Sequence, residues 1–156
     1  MTPAVIAAKQ AGLPIELHEY SHDPNAESYG EEAAEKLGVN VDAIFKTLIV
    51  QTVSTKLVVA VIPVLNSLNL KQIAQAVGEK KAEMADKNLV QRTTGYVLGG
   101  VSPLGQRKKL ATVIDTQAQN HALIYVSGGR RGLDIAIAPD DLAKATAARF
   151  ANLIRG

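Results

Sequence analysis

Two glycine-rich stretches and one lysine are the parts of this 156-residue chain whose residue types could do chemistry. The longer stretch, Thr94 to Gly105, holds Gly95, Gly99, Gly100 and Gly105, and Pro103 fixes one φ within it. Glycine reaches positive φ and lets another group approach the main chain closely, while proline stiffens the backbone and removes a donor. A backbone shaped this way can aim amide N–H groups at an anion or a developing oxyanion. It can equally be a structural corner between two strands. The shorter stretch, Ser127-Gly128-Gly129, ends an apolar run, and Asp134 lies just beyond the following turn. Amides, a hydroxyl and a carboxylate there suit an amine and a sugar hydroxyl, or a plain hairpin turn.

Lys46 opens an apolar, β-branched run and shares a strand face with Leu48 and Val50. In a strand buried on both faces, a lysine must snorkel to water, meet an anion or lose its proton. Two basic clusters, Arg107-Lys108-Lys109 and Arg130-Arg131, each follow a glycine stretch. Such clusters suit a phosphate chain, although charge runs are commonly solvated surface.

Composition removes other chemistries. The chain has no cysteine, which rules out disulfides, thiolate metal sites and an enzyme thiol nucleophile. His18, His22 and His121 lack the spacing of a helical zinc site, and no carboxylate cluster accompanies them. Neither a Gly-x-Ser-x-Gly elbow nor a phosphate-binding Gly-x-x-x-x-Gly-Lys-Ser/Thr loop occurs, and Gly95 to Gly100 lacks dinucleotide-binding spacing. At 47% hydrophobic and 21% charged, the chain reads as one folded domain over residues 1–156. No signal-peptide pattern and no apolar run of roughly 20 residues is present, so the expectation is a cytoplasmic protein with no membrane partner. The net charge of +2 hides an asymmetry: residues 1–42 carry −6 and the remainder +8. That pattern fits a polyanionic partner for the later part, or a fold that mixes both sets over one surface.

The elements that must position these groups read as follows. Thr2-Pro3 starts a helix running to Ala11, Ile15–Tyr20 is a short strand, and Asp23-Pro24-Asn25 marks a loop. Ser28 with Glu31 forms a capping box for a helix that Gly38 closes. Ile44–Val53 and Leu57–Pro63 form a hairpin whose strands are covered on both faces. Asn69 and Gln72 begin a helix ended by Gly78. Ala82–Met84 is a short strand and Asp86–Thr93 a short helix. Lys109–Ile114, Ala122–Ser127 and Leu133–Ala138 are strands, the last two joined by a turn over residues 128–132. Pro139 opens a C-terminal helix with Leu142, Phe150 and Leu153 on one side. Strands in adjacent groups predict α+β: a mixed, largely antiparallel sheet or open barrel flanked by helices.

Taken together, Thr2-Pro3-Ala4, Tyr29-Gly30, Lys46-Thr47-Leu48 and Pro63 resemble the YbaK/EbsC family. Thr94-Gly95-Tyr96, Gly99 through Gly105, and Ser127-Gly128-Gly129 extend the resemblance, in order, over nearly the whole chain. That family comprises free-standing trans-editing aminoacyl-tRNA deacylases related to the editing domain of bacterial prolyl-tRNA synthetase, and its fold agrees with the α+β reading. The resemblance implies a catalytic set of Lys46, Gly99 and Gly100, with Lys46 holding the terminal adenosine or its phosphate. It implies that the Gly99-to-Pro103 amides, with Ser102, face the aminoacyl carbonyl. Tyr20, Tyr29 and Thr47 would line the pocket, and Ser127, Gly128, Gly129 and Asp134 would hold the aminoacyl end or ribose. Arg107, Lys108, Lys109, Arg130 and Arg131 are the expected tRNA contacts.

The implied reaction is deacylation of Cys-tRNA(Pro), and of Cys-tRNA(Cys), by the substrate's own thiol. No metal or organic cofactor is implied, and the expected partners are tRNA and prolyl-tRNA synthetase, with the protein itself a monomer. Two other readings stand beside it. One is a relative that edits Ala- or Ser-charged tRNA with a water nucleophile. The other is a tRNA-binding partner of the synthetase without catalysis.

Overall fold

The run Leu57–Pro63 has no polar face, so a strand there must be covered on both sides. The computed structural model, which describes residues 1–25 and 29–155 (the side chain of Tyr29 excepted), provides that cover with two separate cores. In chain order the elements are α1 (Pro3–Gln10), β1 (Glu16–Glu19), α2 (Tyr29–Leu37), β2 (Phe45–Thr52), β3 (Leu57–Pro63), α3 (Leu70–Ala76) and β4 (Ala82–Met84). Then follow α4 (Lys87–Thr94), β5 (Ala111–Asp115), β6 (Ile124–Arg130), β7 (Leu133–Ile137), α5 (Pro139–Thr146) and β8 (Arg149–Ala151).

Five strands form one mixed sheet in the order β4-β2-β3-β5-β8, antiparallel from β4 to β3 and parallel from β3 to β8. The other three form an antiparallel sheet, β1-β7-β6. A parallel bridge between Ile44 and Tyr125 links the sheets, which do not close into a barrel. Val59 and Val61 of β3 face the core shared with Val126, Ile135 and Ile137, while Val58, Ala60 and Ile62 face Ile73 of α3 and Leu153. The α+β expectation and the doubly covered hairpin both hold.

Local signals acted as their chemistry dictates. Thr2 caps α1 by accepting from the Val5 N–H at 3.3 Å, and Asn69 and Asp86 cap α3 and α4. The capping box expected at Ser28 falls outside the described residues, though α2 does start at Tyr29 and end before Gly38. Two expectations need correction. The helix from Pro139 does not continue to Leu153: it stops at Thr146, Ala147 turns left-handed at φ 55°, and Arg149–Ala151 becomes β8. Phe150 packs on one core and Leu153 is buried in the other, on the opposite face of the sheet, so no single helical stripe could serve both. Asp115 enforces this path, its buried carboxylate capping the Gln117 N–H at 2.9 Å and accepting from the Leu153 N–H at 2.8 Å. The segment 128–132 is not all turn either, since β6 runs on to Arg130 across an irregularity between Ser127 and Arg130.

The start of α1 is clasped by both glycine stretches. The Thr2 hydroxyl donates to the Gly128 carbonyl. A Cβ on Gly129 (φ 108°) would lie 2.9 Å from both Thr2 and the ring of Tyr96, and one on Gly105 (φ 65°) only 2.4 Å from the Pro3 carbonyl oxygen. Backbone cannot yield as a side chain would. Gly105→Ala is therefore expected to destabilise the fold by about 2–4 kcal/mol, combining left-handed strain with overpacking. Urea unfolding measures it, and a loss under half a kilocalorie would show that the clasp is not a constraint.

Candidate functional site

β2 and β3 are adjacent antiparallel strands, so the beginning of β2 and the end of β3 meet at one edge of the five-stranded sheet. There the sheet faces α2, the β6–β7 hairpin and the glycine loop, leaving a cavity of about 270 Å³. Lys46, Thr47 and Leu48 of β2 line it, with Gly30 of α2 and Val64 just after β3. Leu98, Gly99 and Val101 supply the loop wall, and Ser127, Arg130, Arg131 and Asp134 the hairpin wall.

Lys46 is partly buried and makes no ion pair or hydrogen bond among the described residues. Burial holds its pKa below the ordinary lysine range. Asp134 is shifted against its charge as well: burial raises its carboxyl from 3.8 to about 6, opposed in part by His18, which it faces across the sheet. Tyr20 reaches about 12, chiefly through burial and then through the charges of Asp134 and Glu32, so its phenol stays protonated. The Thr47 hydroxyl oxygen is buried without a partner among the described residues. An unmade hydrogen bond of this kind costs about 1–3 kcal/mol unless something bound at the site completes it.

The glycine loop is held from below. Gly95 ends α4 at φ 83°, and the buried Thr94 hydroxyl accepts from the Tyr96 N–H while donating to the Val90 carbonyl. The buried Tyr96 hydroxyl donates to the Leu104 carbonyl at 2.6 Å, pinning the two ends of the loop together. At its tip, Val97 to Gly100 form a tight turn with Gly99 at φ 88°. The Gly100 N–H donates to the Val97 carbonyl at 3.0 Å and is thus spent within the turn. The N–H groups of Gly99 and Val101 have no acceptor among the described residues. A Cβ on Gly100 would sit 3.0 Å from the Arg130 Cα, so that glycine serves the packing of loop on hairpin.

The cavity therefore gathers Lys46, Thr47, Gly99, Tyr20, Ser127, Asp134, Arg130 and Arg131 from the expected residues. It does not gather Ser102 or Pro103. Ser102 is fully buried, its hydroxyl accepting from the Leu104 N–H, and Pro103 lies on a different cleft. Gly128 and Gly129 pack against Leu133, Thr2 and Tyr96 and do not line the cavity. Arg107, Lys108 and Lys109 are exposed but lie elsewhere, with the Arg107 and Lys108 N–H groups bonded to the Thr94 and Thr93 carbonyls. Tyr29 begins α2 beside the cavity-lining Gly30.

Sequence reasoning gave no site role to Gly30 and Val64, where an added Cβ would come 2.2 Å from Val64, or to Glu32. Glu32 is buried and accepts from the Asp23 N–H at 2.8 Å, with the His22 Nδ1 at 2.7 Å. The His22 hydrogen bond, more than any other contact, keeps its carboxyl below the usual range. In the sequence Glu32 is marked only by its place beside Ala33 and Ala34, a weak signal.

A family model described as an aminoacyl-tRNA editing domain matches residues 23–145. EbsC of Enterococcus faecalis (strain ATCC 700802 / V583), whose name proposes it as a Cys-tRNA(Pro)/Cys-tRNA(Cys) deacylase, is 38% identical over 97% of this chain and 92% of its own. The crystal structure of a protein called APE2540 superposes with a TM-score of 0.87 at 29% identity, covering 98% of this chain and 99% of that one. A structure described as a trans-editing enzyme proposed for prolyl-tRNA synthetase has the same fold, with a TM-score of 0.87 at 24% identity over 99% of this chain and 96% of that one.

Because the folded state keeps Asp134 protonated to higher pH than the unfolded chain does, its ionisation works against folding. The unfolded chain sheds that proton first, so the Asp134 contribution to stability is greatest below pH 4 and is lost as pH rises from 4 through 6. From pH 4.5 to 7.5 this amounts to about 2 kcal/mol. Asp134→Asn should lack that loss, and urea unfolding of both proteins at the two pH values checks it. Parallel pH profiles would mean that Asp134 is not desolvated.

Proposed function

The chain belongs to the aminoacyl-tRNA editing domain family, and from that premise we propose that it deacylates tRNA for proline mischarged with cysteine. The observation that carries this reading is the desolvated, unpaired Lys46 ammonium sharing one cavity with the unspent amides of Gly99 and Val101. In a low-dielectric cavity such a cation draws in an anion, here the phosphate of the terminal nucleotide. The amides then receive the carbonyl oxygen of the aminoacyl ester as it gains charge.

No enzyme nucleophile is needed. The cysteinyl thiol attacks its own ester carbonyl, the new C–S bond replaces the C–O bond, and the thiol proton passes to the departing ribose oxygen. The product is free tRNA and a cyclic thioester, which water opens to cysteine. Orienting an intramolecular attack can supply about 7–11 kcal/mol in favourable cases, and one oxyanion donor about 2.7–4 kcal/mol. Ser127 and Asp134, paired across the β6–β7 hairpin and lining the cavity, suit the ribose or the amino group. Tyr20, protonated throughout the neutral range, offers a donor beside them. Arg130 and Arg131 at the rim suit the phosphates of the incoming 3′ end.

Hydrolysis of tRNA for proline carrying cysteine, alanine, serine or 2-aminobutyrate tests the proposal. Cysteine release is expected to exceed that of 2-aminobutyrate, which is similar in size but has no thiol, by at least about a hundredfold. Lys46→Ala should slow it by about 10²–10³, the effect of removing one electrostatic stabiliser. Intact Cys-tRNA at high enzyme concentration would sink the assignment. Equal rates for 2-aminobutyrate and cysteine would replace the thiol with water as nucleophile.

A further inference from the structure

The basic cluster Arg107 to Lys109, absent from the cavity, has its own setting. At the other end of the central sheet, where β2 ends and β3 and β5 begin, lies a groove of about 540 Å³, larger than the cavity. Lys56 from the β2–β3 turn lines it together with Lys108 and Lys109. These residues are separate in sequence and meet only through the fold. All three are exposed, and none forms an ion pair among the described residues. Glu79, the carboxylate lining the groove, is turned to the Ser54 hydroxyl at 2.7 Å, which is the main cause of its lowered pKa, with Lys56 contributing. Gln51 and Thr93 add polar groups to the lining.

From this arrangement we infer that the groove is a second RNA contact, taking the phosphate backbone of the duplex stem whose single-stranded 3′ end enters the cavity. Three observations carry the inference. Lysines are point charges without directional demand, which fits phosphates along a backbone and not a base edge. The groove and the cavity share one connecting segment, with Leu98 to Val101 at the cavity and Lys108 to Ala111 at the groove. Finally, Lys46 and Thr52 lie six residues apart on β2, so the two sites are about 20 Å apart at the usual strand rise. A cavity of 270 Å³ holds little more than a terminal residue, so the paired stem must rest outside it. An A-form stem offers its phosphates and shape to such a surface without sequence readout. The inference rests on the reading of the cavity as an aminoacyl-tRNA site, but its test does not require turnover.

The test compares the full-length protein with the triple variant Lys56→Ala/Lys108→Ala/Lys109→Ala. Each is titrated with an uncharged RNA hairpin bearing a 3′ overhang and with the overhang sequence alone, over a series of salt concentrations. Each phosphate-contacting lysine contributes about one to the slope of log affinity against log salt, so the variant's slope for the hairpin should fall by roughly three. Hairpin affinity at low salt should drop at least about tenfold, while binding of the single strand changes less than twofold. An unchanged hairpin slope would overturn the inference and leave the groove to an acidic protein surface or to solvent. Equal weakening for both RNAs would also overturn it, since the lysines would then not distinguish a stem. Absence of deacylation by the wild-type protein would count against the reading of the cavity, and the hairpin titration would still decide the groove.

Discussion

The wall of the cavity depends on close approaches that only glycine allows, two of them at the start of α1. Pro3 presses on Gly105, Thr2 on Gly129, and Gly100 on the main chain of Arg130, each at distances where a Cβ would intrude. These contacts make the two glycine stretches, thirty residues apart in sequence, a single wall. The glycines are therefore not mainly loops left open for a ligand. Most of those in the two stretches are the points at which separate segments fuse, and of these Gly99 alone combines a positive φ, an N–H without an acceptor among the described residues, and a place on the cavity. Rigidity of the wall follows from this division, because a turn pinned at Thr94, Tyr96 and Leu104 cannot drift away from the hairpin it packs on.

That rigidity has an electrostatic consequence. A mobile polar loop would solvate Lys46 and Asp134, and their pKa values would relax toward ordinary ones. Both are instead shifted toward their neutral forms by burial, although one is a cation and the other an acid. The cavity thus holds two groups that gain from a partner of opposite charge, on different walls. A zwitterion-like end, with phosphate on one side and an ammonium on the other, satisfies both at once. The orphan Thr47 hydroxyl, on the strand that carries Lys46, adds a third unmet demand within the same volume.

The fold was largely legible because its signals are local. Caps at Thr2, Asn69 and Asp86, the glycines that end helices, and the uniform apolar character of β3 each act over a few residues. What was not legible depends on contacts distant in sequence. Leu142, Phe150 and Leu153 keep an approximate helical spacing, yet two cores on opposite faces of a sheet claim Phe150 and Leu153 separately. Among the residues lining the cavity, Lys46 could be singled out because a charge in a doubly buried strand is anomalous wherever the strand lies. Ser102 and Gly100, by contrast, are used within the fold, Ser102 buried and the Gly100 N–H bonded inside the turn. A serine or glycine inside a glycine-rich loop looks the same whether its hydrogen bond goes to a ligand or, as here, closes a turn. Glu32 and Val64 carry no sequence anomaly strong enough to single them out, and their roles exist only because α2 packs over the end of β3.

The same distinction explains the charge asymmetry. Both basic clusters follow a glycine stretch in sequence and were expected to contact tRNA phosphates. The fold separates them, placing Arg130 and Arg131 at the rim and Lys108 and Lys109 at the far end of the sheet. Between them runs the loop that forms the cavity wall, and Lys56 joins the distal pair only through the β2–β3 hairpin. A chain with an excess of eight positive charges after residue 42 could have distributed them over its whole surface. Two basic sites about a strand's length apart instead match an extended polyanion whose end is held in one place and whose body lies in another. On the proposed reading, separation of that kind would let a small cavity act on a large substrate, with affinity and chemistry carried by different parts of the sheet.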